Sequence, residues 1–287
     1  MELARAVNEW FVANRRDLPW RAPGFGAWGI LVSEFMLQQT PVARVIPRLE
    51  LWLERWPTPA DLAASPPGDA VRAWERLGYP RRALRLHAAA VAITEQHGGV
   101  VPEDVDALLA LPGVGEYTAR AVAAFAFGRR HPVVDTNVRR VIARAVLGQA
   151  EAGPPSTRRD LATMEALLPE GEQDARLFNA GMMELGAIVC TARSPRCEAC
   201  PLAGSCRWRA EGYPAYEGPR APVQATFAGS DRQVRGLIMA ELRASDIPVT
   251  AAELESVWPD AAQRGRALAG LLADGLAVAT DDGFVLP

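Results

Sequence analysis

The sequence predicts an all-α protein with a small α+β segment towards its C-terminal end, and three observations carry that prediction. Alanine is abundant and aromatic residues make up only 7% of the 287 residues, a bias towards helix over sheet. Apolar residues recur at helical spacing in segments punctuated by Pro and Gly. No alternating strand pattern of convincing length appears before about residue 275.

The elements follow in order. The opening MELARAVNEWF is amphipathic, with Glu2, Arg5 and Glu9, and predicts a helix over about 2–14 rather than a signal peptide. Pro19 breaks the chain. Residues 27–39 read as a second helix, closed by Pro41. Helical patterns continue near 42–55, 68–77, 81–97 and 104–110. Residues 216–230 lie in a stretch rich in Pro, Gly and small side chains and read as a linker. Helices near 231–244, 250–257 and 260–273, then LAVAT, a DDG turn and FVLP, suggest a winged-helix-like segment.

Composition bounds the function. A 49% hydrophobic content fills a core and excludes a disordered chain. No apolar run reaches the roughly 18 residues of a membrane span. A cytoplasmic monomer without membrane contact is expected. The net charge is −3, but residues 231–287 alone hold 9 acidic and 5 basic side chains, so the rest is close to neutral. Arg72, Arg76, Arg81, Arg82 and Arg85, and again Arg120, Arg129, Arg130, Arg139, Arg140 and Arg144, form dense basic stretches that suit phosphate. The acidic last segment suits a protein partner better than DNA. All 31 basic residues are Arg; the chain has no Lys, so amine chemistry through a Schiff base is closed to it.

All four cysteines fall within seventeen positions, Cys190, Cys197, Cys200 and Cys206, spaced C-x6-C-x2-C-x5-C. Such a cluster suits a metal site, either zinc or iron–sulfur, and a single close CxxC pair favours the latter. Arg193, Arg196, Arg207 and Arg209 interleave with it, to face DNA or to offset thiolate charge. Upstream, residues 107–128 read as helix, LPGVG turn and helix. Gly113 and Gly115 would let backbone amides approach an anion at the N-terminus of the second helix. After Gly128, Asp135 stands between a strand-like Val133–Val134 pair and a new helix.

Six motifs in one order complete the pattern: LPWR at 18–21, SEFMLQQT at 33–40, RLGYPRRA at 76–83, LPGVGEYT at 111–118, VDTNVRRV at 134–141, and the cysteine spacing. Over residues 1–218 the chain resembles the adenine DNA glycosylases of the endonuclease III, or helix-hairpin-helix, superfamily. The resemblance implies a two-lobed all-α fold with DNA across the cleft. An iron–sulfur lobe takes residues 1–23 and 132–215, a helical lobe 24–131, a linker 216–230 and the winged-helix-like segment 231–287. It implies a [4Fe–4S] cluster on Cys190, Cys197, Cys200 and Cys206. It implies duplex DNA carrying adenine opposite 8-oxoguanine or guanine as substrate, with the adenine flipped out and its glycosidic bond hydrolysed.

By the same resemblance Glu34 is the general acid that protonates the adenine ring. Leu31, Val32, Phe35, Met36 and Leu37 around it are expected to desolvate the carboxyl and raise its pKa. Asp135 is the carboxylate that stabilises or captures the sugar cation, held ionised at a helix N-terminus, with Tyr117 and Asn137 supporting the pair. Leu37 and Gln39 match DNA-contacting positions, Gln39 as the side chain inserted into the base stack. Thr40 and Tyr79 match contacts beside the oxidised guanine. Arg16, Trp20 and Arg21 match the adenine pocket, and Gly113 and Gly115 the backbone clamp.

Three departures stand out. Residues 231–287 do not resemble the larger terminal domain of the family. Ala180 stands where many members carry Glu or Gln, which removes a polar contact to adenine. Pro80 follows the first Tyr of the GY motif. A thymine glycosylase for T·G mismatches and a non-catalytic iron–sulfur DNA-binding protein are the alternatives. Endonuclease III's lyase chemistry needs a Lys where Tyr117 stands.

Overall fold

The computed structural model describes residues 2–219 and 226–287. In chain order the helices are α1 (Glu2–Asn14), α2 (Ala27–Leu37), α3 (Val42–Arg55), α4 (Pro59–Ala63), α5 (Pro67–Trp74) and α6 (Arg81–Gln96). Then come α7 (Val105–Leu109), α8 (Glu116–Phe127), α9 (Thr136–Ala145), α10 (Thr157–Glu165), α11 (Glu172–Ile188) and α12 (Arg207–Ala210). The last segment holds α13 (Asp231–Ala244), α14 (Ala251–Glu255) and α15 (Ala261–Ala273), then strands β1 (Val278–Thr280) and β2 (Gly283–Val285). The strands pair antiparallel with Ala279 opposite Phe284. The chain divides into two compact units: Met1–Ile30, Glu103–Ala110 and Val114–Pro222, and Leu31–Pro102, Leu111–Gly113 and Val223–Pro287.

The first unit is built around α11, which packs on both α1 and α9. Two glycines make those approaches close. A Cβ on Gly181 would lie 2.7 Å from Val7 Cγ1, and one on Gly186 would lie 2.6 Å from Asn137 Cβ and 2.8 Å from the Asn137 carbonyl oxygen. Val7, Val138, Ile142, Phe178, Met182 and Leu185 form the core between these helices. Buried Asn179 reaches sideways, accepting from Val133 N and donating to the His131 carbonyl, both at 2.9 Å.

In the second unit α4 and α5 lie on α6, and α13 packs on α15. Trp52 anchors the unit, meeting Trp74 and Trp56 edge to face at 5.6 and 4.7 Å between ring centroids. A capping box of Thr58 and Asp61 starts α4, and a second, of Thr250 and Glu253, starts α14.

Most predicted helices form within a residue or two. Three stop early: α14 ends at Glu255, and α2 ends at Leu37 and α5 at Trp74 where Gln39 and Glu75 take positive φ, 57° and 44°. The strand-like Val133–Val134 pair is a correction. Among the described residues it pairs with no strand; the Val133 N–H donates to the Asn179 side chain instead. Helices α4, α10, α11 and α12 were not anticipated; α11 is buried on several sides, so it lacks the one-sided apolar stripe that marks a surface helix. Of the predicted linker, residues 220–225 lie outside the described residues. Among the described residues no helix is long and apolar enough to cross a membrane.

The Gly186 contact makes a direct prediction. Gly186→Ala is expected to cost about 1–3 kcal/mol by overpacking, because its neighbour is backbone and cannot swing aside. A thermal melt equal to that of the unmodified chain would refute the close approach.

Candidate active site

In the second unit, Glu34 lies on α2 and is only 5% exposed, with Leu31, Val32, Phe35 and Met36 buried beside it. The end of α2 is held by Arg82. This guanidinium is itself buried and donates through Nη1 to the carbonyls of Phe35 (2.8 Å), Met36 (3.0 Å) and Gln38 (2.5 Å). Through Nη2 it reaches Thr40 Oγ1 (2.9 Å) and the carbonyls of Leu77 (3.3 Å) and Gly78 (2.9 Å). These include carbonyls of the last turn of α2, which lack a partner within the helix. Burial lowers the Arg82 pKa to about 10, so it stays charged at neutral pH.

Arg82 therefore ties the 38–40 turn to the 75–80 turn. Gln39 and Tyr79 project from those turns, with φ of 57° and 47°, and both are exposed. The Thr40 side chain is buried, and its hydroxyl donates to Leu77 O at 3.1 Å. Leu37 is half-buried. Gly113 has φ 79°, and a Cβ there would lie 2.6 Å from Arg85 Cβ and 3.1 Å from the Phe35 ring, so glycine is required on both counts.

In the first unit, Gly115 is the N-cap of α8 and supplies no side-chain cap. A Cβ there would meet nothing within 4 Å, so the backbone at this helix start is not crowded by neighbouring atoms. Tyr117, in the first turn of α8, packs against the cluster of Ala121, Ala124 and Val133.

Asp135 caps α9. Its Oδ1 accepts from Val138 N at 2.7 Å and its Oδ2 from Asn137 Nδ2 at 2.8 Å. Burial pushes its pKa up from the ordinary value, and the hydrogen bonds from Val138 and Asn137 pull against that rise. Asn137 Oδ1 accepts from Arg140 Nη2 at 2.8 Å, and Arg140 also donates to the carbonyls of Gly186 (2.6 Å) and Cys190 (2.7 Å).

Sequence reasoning missed Glu184, four residues beyond Ala180 on α11. Its side chain is 1% exposed and takes both matched arginines. Arg16 binds it bidentately at 2.8 Å through Nε and Nη2, and through its backbone N–H at 2.9 Å. Arg21 adds contacts at 2.9 and 3.3 Å. Burial opposes ionisation, yet these bonds outweigh it and bring the Glu184 pKa down to about 2. Trp20, between the two arginines in sequence, is half-buried. The signal was available: a charged residue inside an otherwise apolar helical stretch calls for a partner.

The basic stretches need a second correction. Most of their arginines are internal ties rather than free phosphate ligands. Arg82 and Arg144 are buried on backbone carbonyls. Arg139 holds Asp160 at 2.7 Å, Arg130 holds Glu165, and Arg120 and Arg129 hold Glu116 and Glu103. Arg76 and Arg85 remain exposed. A high density of Arg in sequence does not separate solvated from structural cations.

The four cysteines carry no disulfide and line one pocket with Arg144, Arg196, Arg209 and Trp208. Burial, together with the three neighbouring thiols, pushes Cys200 up to about 11. Arg144 Nη1 lies 3.5 Å from Cys190 Sγ, and its guanidinium stacks on Trp208 at 4.6 Å. Among the described residues no three His, Cys, Asp or Glu side chains converge on a single-ion site. Four thiols around one pocket, with guanidinium groups at its wall, would fit an anionic iron–sulfur cluster held by cysteine thiolates.

Residues 190–206 match the iron–sulfur binding domain of endonuclease III, and residues 32–165 match the HhH-GPD superfamily of base excision DNA repair proteins. An adenine DNA glycosylase of Mycobacterium tuberculosis is 57% identical over 280 residues, covering 97% of this chain and 91% of its own. The chain belongs to the adenine DNA glycosylase family. It is a helix-hairpin-helix protein of the endonuclease III type, and the family's [4Fe–4S] cluster is its cofactor. A match of that extent takes in most of residues 231–287 as well. Among solved structures, a thermostable thymine-DNA glycosylase aligns with a TM-score of 0.66 at 30% identity, over 73% of this chain and 95% of that one. A trapped endonuclease III–DNA covalent intermediate aligns with a TM-score of 0.62 at 25% identity, over 74% and 97%.

Glu184 makes a testable demand. Its folded pKa lies below the unfolded value of roughly 4.3, so its stabilisation is present at neutral pH and is lost as pH falls through about 2. Glu184→Gln is expected to cost about 3 kcal/mol at pH 7, the lower end for breaking a buried pair because Arg16 stays partly solvated. In urea unfolding, the gap between variant and unmodified chain should narrow as pH is lowered towards 3; a gap that stays constant or widens would contradict the pairing.

Proposed function

We propose that this chain hydrolyses the N-glycosidic bond of adenine mispaired with 8-oxoguanine or guanine in duplex DNA, as a cytoplasmic base-excision enzyme. The observation that carries the reading is a pair of carboxylates placed as the chemistry needs. Glu34 sits among apolar side chains, and Asp135 caps a helix, where two donors offset part of the rise that burial causes in its pKa.

Glu34 protonates the flipped adenine, which leaves as the bond to the sugar breaks. Asp135 stabilises the positive charge that develops on the sugar, and water supplies the hydroxyl that replaces the base. Tyr117 and Asn137 keep Asp135 in place. Arg16, Trp20 and Arg21 receive the adenine, with Glu184 fixing both guanidinium groups. Leu37, Gln39, Thr40 and Tyr79 act on the base stack and the opposing base, while the amides around Gly113 and Gly115 take a phosphate. Cys190, Cys197, Cys200 and Cys206 are the cluster ligands, and the cluster's contribution is to order the segment that holds it.

Single-turnover base release from duplexes with A opposite 8-oxoguanine, A opposite G, and T opposite G tests the substrate. Adenine release, quickest opposite 8-oxoguanine, is expected; thymine release would support the second reading, favoured by the likeness to a thymine-DNA glycosylase. Glu34→Gln should bind the duplex normally and lose about 100- to 10,000-fold in release, the usual range for a general acid. Near-normal turnover would remove Glu34 from that role. Cys200→Ser should lose the brown cluster absorbance, and an unchanged spectrum would show that Cys200 is not a ligand.

A further inference from the structure

The last 57 residues supply no group to the chemistry just described, yet the second unit is built to receive them. On α5, Gly68 N–H donates to Pro287 O at 2.6 Å, and a Cβ at Gly68 would lie 2.5 Å from that same oxygen and 3.1 Å from Leu286 Cβ. One turn on, Arg72 donates to the carbonyls of Arg243 and Ser245 and faces Asp246 at 3.4 Å. At the start of α6, Arg81 pairs with Asp274 at 3.1 Å, and Asp274 is itself held by Arg235 of α13. The segment thus grips the helix before the 75–80 turn and the helix after it.

That turn is strained. Among the described residues four non-glycine positions have positive φ; Glu75 and Tyr79 are in this turn, and Gln39 is in the turn that Arg82 bonds to it. Such conformations cost of order 1–3 kcal/mol each and persist only where the surroundings over-determine them. Arg82 links the two turns from α6 and lies over the ring of Trp74, the last residue of α5, at 5.1 Å, so the spacing it sets follows how α5 and α6 are held. Arg72 and Arg81, which could otherwise have faced phosphate, are spent on this grip.

We propose that residues 231–287 are a positioning element for base release: by clamping α5 and α6 on either side of the 75–80 turn they hold Tyr79 and, through Arg82, Gln39 and the end of the helix carrying Glu34. The proposal rests on the glycosylase reading above. It gives the segment a role in geometry rather than in contact with DNA, in keeping with its acidic charge.

The test uses the full chain with Arg72→Ala and Asp274→Asn combined, neither of them in the catalytic or binding machinery. Base release is measured under single turnover, duplex affinity by titration, and insertion into the stack by fluorescence of 2-aminopurine placed beside the mismatch. The expected result is near-normal duplex affinity and cluster absorbance, a weaker 2-aminopurine response, and release slowed about 10- to 100-fold, the scale of a sub-ångström to 1 Å misplacement. Asp274→Glu, which keeps the carboxylate, should restore most of the rate in the Arg72→Ala background. Unchanged release and fluorescence would overturn the proposal. So would a rate loss matched by equal loss of affinity and cluster, since that is general unfolding. If the unmodified chain itself released no base, the glycosylase reading would fall, while the fluorescence comparison would still decide whether the segment sets the turns.

Discussion

Burying a carboxylate is unfavourable unless its charge is met, and in the first unit Glu184 is met twice, by Arg16 and Arg21. Much else is set by that arrangement. The pairing fixes α11 against the chain around residues 16–21, and α11 in turn carries Gly181 against α1, Asn179 against the stretch before Asp135, and Gly186 against Asn137. The support of Asp135 is therefore assembled from the opposite side of the helix that holds the two arginines. The wall of the cysteine pocket is reached by the same route, since Arg140 joins Asn137 to the carbonyls of Gly186 and Cys190.

The second unit solves the inverse problem. Arg82 is a buried cation with no carboxylate against it among its hydrogen-bond partners; its charge is spread over carbonyl oxygens at the end of α2 and in two turns, and over the ring of Trp74 at 5.1 Å. A lysine would be a poor substitute, because its ammonium offers three donors at one point, whereas this guanidinium meets six acceptors through two separate nitrogens. The use of Arg for every basic position in the chain is thus functional at least here.

The helical class, most helix limits, the cysteine set and the glycine turn were legible in the sequence because each leaves a local mark: a period, a spacing, or a Pro or Gly at a fixed offset. Asp135 as an N-cap is such a mark, and the α9 start follows it directly. Glu184 leaves no such mark because its partners are more than 160 positions away; the buried acidic group of this helix stands one turn beyond Ala180. The arginines misled for the same reason. Whether Arg82 faces water or the carbonyls of α2 depends on residues 42 to 47 positions earlier. The early ends of α2 and α5 were hidden too, since positive φ at Gln39 and Glu75 is imposed by their surroundings and not by their side chains.

Because α11 is committed on several sides, its identity is a matter of phase as much as of composition. Each residue of a helix advances about 100° around the axis. The gain or loss of one residue between Asn179 and Glu184 would leave every side chain available while turning Glu184 away from Arg16 and replacing Gly186 at the Asn137 contact with a side chain. A lineage carrying this helix can substitute many of its letters, but its length between those anchors is fixed, so in-frame single-codon insertions there should be purged where many missense changes survive.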